Sequence, residues 1–306
     1  MSEAEIPNWL GRFPFPPESK RPCKISCSTQ LSTIYGKTPH QIVVNKYVSS
    51  DKITVGDFIV PSGGYFEPPG YHAGDEIYYI RAGRATVTNP ETGETYLISE
   101  GDGFIIAQNT WHQVFNYEKS DLIIFTAHAP TLYSKDDMGA EISYINEYSY
   151  LDLDCASSKR ADFSNRGLDR FNYKLYEFPA NGEEARNQKR IIPVPKEKYF
   201  CLVCGKKNFI RRCFIVSNDY VHTSLVKMLC DSISDYEIHE GDEVINVLEG
   251  NMNVEILTGE KGASVSSESF DLKPEEKMFI PENFRHRFLN LHSDSVLFYS
   301  CIAPKL

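Results

Sequence analysis

No stretch of this chain stays apolar for the roughly 20 residues that a membrane-spanning helix needs, so a membrane span is not expected. The opening Met-Ser-Glu-Ala-Glu-Ile-Pro-Asn-Trp-Leu has neither a basic start nor an apolar run, so no secretory signal is visible. Positive charge is in short supply. Against 42 Asp and Glu stand 32 Lys and Arg, a net charge of −10, and no basic cluster stands out. That balance argues against nucleic acid or an anionic membrane surface as a partner. Cysteine is sparse too. Eight are scattered over 306 residues, which is no disulfide framework and predicts a cytoplasmic setting. Cys201 and Cys204 with Cys213 have part of a zinc-clip spacing, but a second pair is missing and the intervening residues read as strand. They are expected to be ordinary structural thiols.

What the chain does have is a repeat. His72, Asp75, Glu76 and Gly83 return as His239, Asp242, Glu243 and Gly250, each 167 positions later. His112, Asn116 and Ala129-Pro130 return as His286, Asn290 and Ala303-Pro304, each 174 positions later. Two registers held over several residues mean a duplicated domain, with seven residues (174 − 167) inserted in the second copy. Four of the eight histidines fall at matched positions, with a matched glutamate in each copy. Histidine and glutamate together are metal-ligand chemistry.

The length suits two domains, and a hydrophobic fraction of 41% can fill two cores. Residues 1–40 hold Phe-Pro-Phe-Pro-Pro and little periodicity; they read as an extended arm that packs on a barrel or a neighbouring subunit. Residues 41–130 and 199–306 are series of short runs rich in β-branched and aromatic residues, separated by turn signals. Such spacing predicts a sandwich or barrel in each half, an all-β protein of two tandem barrels. Single strands are expected over 76–89 and 243–257. Residues 131–198 are polar and mixed in charge, a connecting segment with a helix expected near 138–150. Exposed sheet edges need cover, and with the proline-bearing arm they predict a homodimer.

Alternate residues of a strand share a face. Glu76 and Tyr78 therefore point one way, and His72 joins them if the strand continues backward. If the strand carrying His112 lies across the barrel, His72, Glu76 and His112 converge. The same logic gathers His239, Glu243 and His286, with Glu237 two residues before His239 as a fourth candidate. Two imidazoles and a carboxylate suit a first-row divalent metal with open positions. Tyr78 is a candidate proton donor or substrate hydrogen bond, and His128 a candidate supporting base. Phe104 and Trp111 read as packing residues.

These residues resemble the cupin superfamily, and their duplication resembles its two-domain members, the bicupins. The first cupin motif is matched by Gly64, His72, Glu76 and Gly83, and the second by Gly101-Asp102, His112 and Asn116, with Ala107 at a usual proline. In the second half Pro281, His286 and Asn290 fit the motif, whereas Pro274-Glu275-Glu276 replaces its Gly-Asp. Full cupin sites use three histidines and a glutamate. The first histidine is Gly70 in one copy and Glu237 in the other. The resemblance implies jelly-roll barrels and a divalent metal, with Fe(II) favoured over Mn, Ni or Zn. A three-ligand site in the first copy leaves room for substrate and O2, so an Fe(II)-dependent oxygenase acting on a small organic molecule is the leading expectation. The alternatives are an isomerase, lyase or decarboxylase using the metal as a Lewis acid, and a non-enzymatic small-molecule binder.

Overall fold

The computed structural model describes residues 7–36, 38–66, 69–133, 186–187, 189–205, 210–258 and 266–306. The helix expected near 138–150 lies outside them. The described residues fold as two antiparallel β-bodies. In the first, a seven-stranded sheet faces the three strands Thr95–Ser99, Arg84–Thr88 and Gln113–Phe115. In the second, another seven-stranded sheet faces the four strands Ser232–Ile233, Arg285–Asn290, Met252–Thr258 and Ser266–Leu272.

Each body borrows a strand. Cys23–Ile25, from the arm, pairs with Lys277–Ile280 of the second body. Ile191–Val194, from the connecting segment, pairs with Gly103–Ile106 of the first. The arm's other strand, Leu31–Tyr35, closes the first sheet against Ile42–Ser49, and Phe200–Cys204 closes the second against Ile210–Ser217. The arm is thus spent within its own chain, as part of the repeated unit.

The strand Asp75–Ala82 shows how the sequence sets this up. Tyr78 and Ile80 enter the interior of the first barrel with Phe104 and Ile124. Ile77 and Tyr79 face the opposite way, into a shared core with Phe125, Val244, Phe279 and Tyr299. Tyr79 stacks on Tyr299 at 5.8 Å between ring centres. Both faces are covered, so the centre of the strand, Ile77 to Ile80, reads as an unbroken apolar run. The strand is shorter than the sequence suggests. Gly83 has φ 84° and Gly250 φ 74°, and at each the chain leaves one sheet for the other. A Cβ on Gly250 would stand 2.5 Å from the Ser295 carbonyl oxygen, which only glycine avoids.

The cysteine expectation is corrected. Cys201 and Cys213 form a disulfide, because they stand opposite each other on paired strands. Their spacing along the chain does not reveal that register.

His222 lies buried beside Ser217, with Nδ1 2.8 Å from its hydroxyl. Burial pulls its pKa from 6.5 down to about 4, and His239 adds to the effect. The unfolded chain accepts this proton near pH 6.5, while the folded chain resists until about 4. Stability is therefore unaffected above that window and falls on acidification by about 1.4 kcal/mol per pH unit within it. Urea melts at pH 7.5 and pH 5 should show an acid-induced loss that is smaller by about 2 kcal/mol in His222→Asn. An equal loss in both proteins contradicts this assignment.

Candidate metal centres

In the first barrel, Glu76 sits on a central strand, fully buried among three imidazoles. Its Oε2 is 2.9 Å from His112 Nε2 and 3.7 Å from His72 Nε2, and its Oε1 is 2.7 Å from His128 Nε2. Thr126 donates to Oε1 at 3.2 Å. His128 stands directly across from Glu76 in the neighbouring strand Leu122–Ala129. His72 comes from the loop before the Glu76 strand. His112 is presented by a backbone bridge to Gly70.

The second barrel repeats the plan. Glu243 Oε2 is 3.0 Å from His286 Nε2 and 3.3 Å from His239 Nε2, and Ser300 donates to Oε1 at 2.6 Å. Position for position, Ser300 is Thr126 shifted by 174, and the counterpart of His128 is Ile302, which pairs with Glu243. Glu237 bridges to His286 as Gly70 does to His112.

The tautomers follow from the backbone. His112 Nδ1 is 3.2 Å from the Thr110 carbonyl, His239 Nδ1 2.8 Å from that of Gly241, and His286 Nδ1 3.0 Å from that of Phe284. A carbonyl only accepts, so Nδ1 carries the proton in each neutral ring and Nε2 presents its lone pair. Each lone pair faces a carboxylate oxygen. Two acceptors this close repel unless a cation or a proton lies between them. Donor atoms about 2.1 Å from one first-row metal and at right angles lie about 3 Å apart, close to the separations seen here. The residues present therefore fit a divalent metal.

The electrostatics agree. Burial pushes His72 well below its ordinary pKa, and His128 and His112 add to that. Burial alone would raise Glu76, but the surrounding imidazoles of His128, His112 and His72 hold it well below the usual carboxylate range. Burial likewise opposes ionisation of Glu243, and the close contacts with His239 and His286 outweigh it and hold it well below the usual carboxylate range. For His239 burial lowers the pKa, yet the contact with Glu243 raises it overall.

The remaining candidates divide. His72, Glu76 and His128 place their ligand atoms within 4.8 Å of one another, whereas His112 stands outside that group although its Nε2 is 2.9 Å from Glu76 Oε2. Tyr78 is buried beside His112 and Phe104, and burial, then Glu76, keeps its hydroxyl protonated. Glu237 does not join the second cluster. Its carboxylate takes a hydrogen bond from the buried Arg212 at 3.3 Å. Asp75 and Asp242 carry a role the sequence reading missed. Asp75 accepts from the Gln108 amide at 3.0 Å and from Arg186 at 2.7 Å; Asp242 accepts from the Glu282 amide at 3.0 Å and from Lys20 at 3.2 Å. Each fixes the loop leading to the later histidine. The signal was their place in the repeat.

A cavity of about 120 Å³ opens onto the first cluster. His72, His112 and His128 line one part, and Ile42, Val44, Phe58, Phe66, Tyr78 and Leu132 form its apolar walls.

Residues 56–128 match the family described as the cupin domain. The first barrel is a cupin domain. Comparison with curated protein sequences finds no match. Among solved structures the chain is similar to AerE from Microcystis aeruginosa, at 10% identity and TM-score 0.54, over 90% of this chain and 97% of that one. It is also similar to the Lactobacillus farciminis oxalate decarboxylase formate complex, at 12% identity and TM-score 0.58, over 92% and 87%. A Bacillus subtilis oxalate decarboxylase, described for its Mn(II) centres, matches at 12% identity and TM-score 0.56, over 91% and 76%. Likeness at such identity shows the fold, which is that of a bicupin: two cupin barrels in one chain, each with a His/Glu cluster.

Proposed function

We propose that this bicupin is a metal-dependent enzyme of the lyase type, and that it decarboxylates a small organic acid in the first barrel. The observation that carries this reading is the cavity that opens onto the first cluster. In this proposal His72, Glu76, His112 and His128 hold a divalent metal, and Mn(II) is the first candidate from the likeness to the decarboxylases. His239, Glu243 and His286 hold a second. A metal bound at the first site would act as a Lewis acid, withdrawing negative charge from substrate oxygens.

Oxygen chemistry needs the open positions that a three-donor site leaves. His128 supplies a fourth donor, so fewer positions remain for substrate and O2 together, and the redox-neutral alternative gains. The second barrel supports binding without turnover. Arg212 stands at the position of Val44, which lines the first cavity, and there it forms an ion pair with Glu237.

The chain's own groups do the rest. Apolar walls exclude bulk water while the carbon–carbon bond breaks and carbon dioxide leaves; the electron pair stays with the substrate carbon, which then takes up a proton supplied from solvent. Tyr78 donates a hydrogen bond to a substrate oxygen that gains charge. Tyr78→Phe should keep its metal and lose about tenfold in rate, measured by elemental analysis beside turnover. Loss of metal in that variant would make Tyr78 structural instead. The reading as a whole is tested by incubating the Mn(II)-loaded protein with a panel of small carboxylic acids. Carbon dioxide release without stoichiometric uptake of O2 supports it. Stoichiometric O2 uptake overturns it and restores the oxygenase reading.

A further inference from the structure

The first cavity has a charge pattern that the metal site does not explain. Among its described lining residues are three histidines and one lysine, Lys46, and no aspartate or glutamate. In a chain of net charge −10 that composition is selective. Lys46 reaches the cavity from the strand Ile42–Ser49, on the same side as Ile42 and Val44. It is half-buried. Its Nζ lies 3.5 Å from the Thr33 hydroxyl and 4.7 Å from the centre of the Trp9 ring, both contributed by the N-terminal arm. No carboxylate among the described residues pairs with it. On the neighbouring strand Asp57 is already engaged, accepting from Asn45 at 2.7 Å and from Tyr47.

A half-buried lysine with no carboxylate beside it is left without a counter-charge. Burial brings its pKa down to about 8, so it remains largely charged at neutral pH. Such a group is relieved by an anion that enters the cavity. The apolar walls decide which anion. Inorganic phosphate is fully hydrated and gains nothing from Ile42, Val44, Phe58 and Phe66, whereas a carboxylate on a hydrocarbon body buries that body against them.

We propose that Lys46 is the specificity-determining residue of the first barrel, and that it selects small carboxylates with an apolar body by pairing with their carboxylate group. This rests on the first cavity being the substrate site. Lys46 acts as a positioning residue, since the metal cluster lies elsewhere in the cavity. The arm thereby becomes part of the substrate site, because Thr33 and Trp9 hold the lysine in place.

The test is calorimetric titration of the metal-free and the Mn(II)-loaded full chain with acetate, isovalerate and phenylacetate, each beside its neutral amide, and with inorganic phosphate. At least one of the two larger acids should bind about tenfold tighter than its amide. Lys46→Met should erase that preference and Lys46→Arg should keep it. No acid preference in the unsubstituted protein, a preference unchanged in Lys46→Met, a preference lost in a folded Lys46→Arg, or phosphate binding tighter than every carboxylate overturns the proposal. The metal-free arm separates the two readings. A Lys46-dependent preference in a protein that takes up no metal sustains this inference while the proposed function fails.

Discussion

Glu76→Gln is expected to remove the metal of the first barrel and to lower turnover by at least about 10³-fold, since a Lewis acid supplies several kcal/mol and each 1.4 kcal/mol is tenfold. The substitution keeps the shape and deletes the charge. Glu76 touches all three imidazoles, at 2.7, 2.9 and 3.7 Å, so no other single change disturbs the whole cluster. The mirror substitution Glu243→Gln should remove the second metal and leave turnover within about threefold, because in the proposed function turnover belongs to the first barrel and the second carries the Arg212–Glu237 ion pair beside its cluster. Elemental analysis beside activity reads both. Full metal content in Glu76→Gln, or equal loss of activity in the two variants, would falsify the division of labour between the barrels.

Gly70→Ala should weaken metal binding in the first barrel by about 10- to 100-fold, as displacement of a well-held ligand does. A Cβ at this position would lie 2.6 Å from His112 Nε2, 2.7 Å from His112 Cε1 and 3.2 Å from His72 Nε2. The first two are closer than real Cβ contacts, so the His112 ring has to move. It cannot move freely, because its Nδ1 is tied to the Thr110 carbonyl and its backbone is bridged to Gly70. Glycine here is thus a requirement of the first cluster's geometry alone; the second barrel, where Glu237 occupies the same bridge, accommodates a Cβ and turns the carboxylate toward Arg212. Isothermal titration of the metal-free protein with Mn(II) measures the effect. An unchanged affinity would mean that His112 does not bind the metal in the geometry described.

Much of this was legible in the sequence, for a physical reason. Ligand positions on strands repeat with the strand period, and the duplication displays them twice. The two registers 167 and 174 residues apart placed Glu76 with His72 and His112, and Glu243 with His239 and His286, before any fold was known. What the sequence hid depends on pairing between distant strands. His128 has no counterpart in the repeat, since Ile302 replaces it, and only its register opposite Glu76 brings it into the cluster. The exchanged strands Cys23–Ile25 and Ile191–Val194 are too short to show a period of two. Glu237 satisfied the strand rule for sharing a face with His239, yet Arg212, 25 residues earlier, claims its carboxylate. Lys46 carried no sequence signal at all, because a lysine on a strand is usually at the surface.

The most direct measurement is metal stoichiometry. After Mn(II) loading and desalting, elemental analysis should find about two equivalents per chain in the unsubstituted protein, about one in Glu76→Gln, and essentially none in the double variant Glu76→Gln/Glu243→Gln. Two equivalents retained by a folded double variant, or none bound by the unsubstituted protein, would contradict the account at its centre.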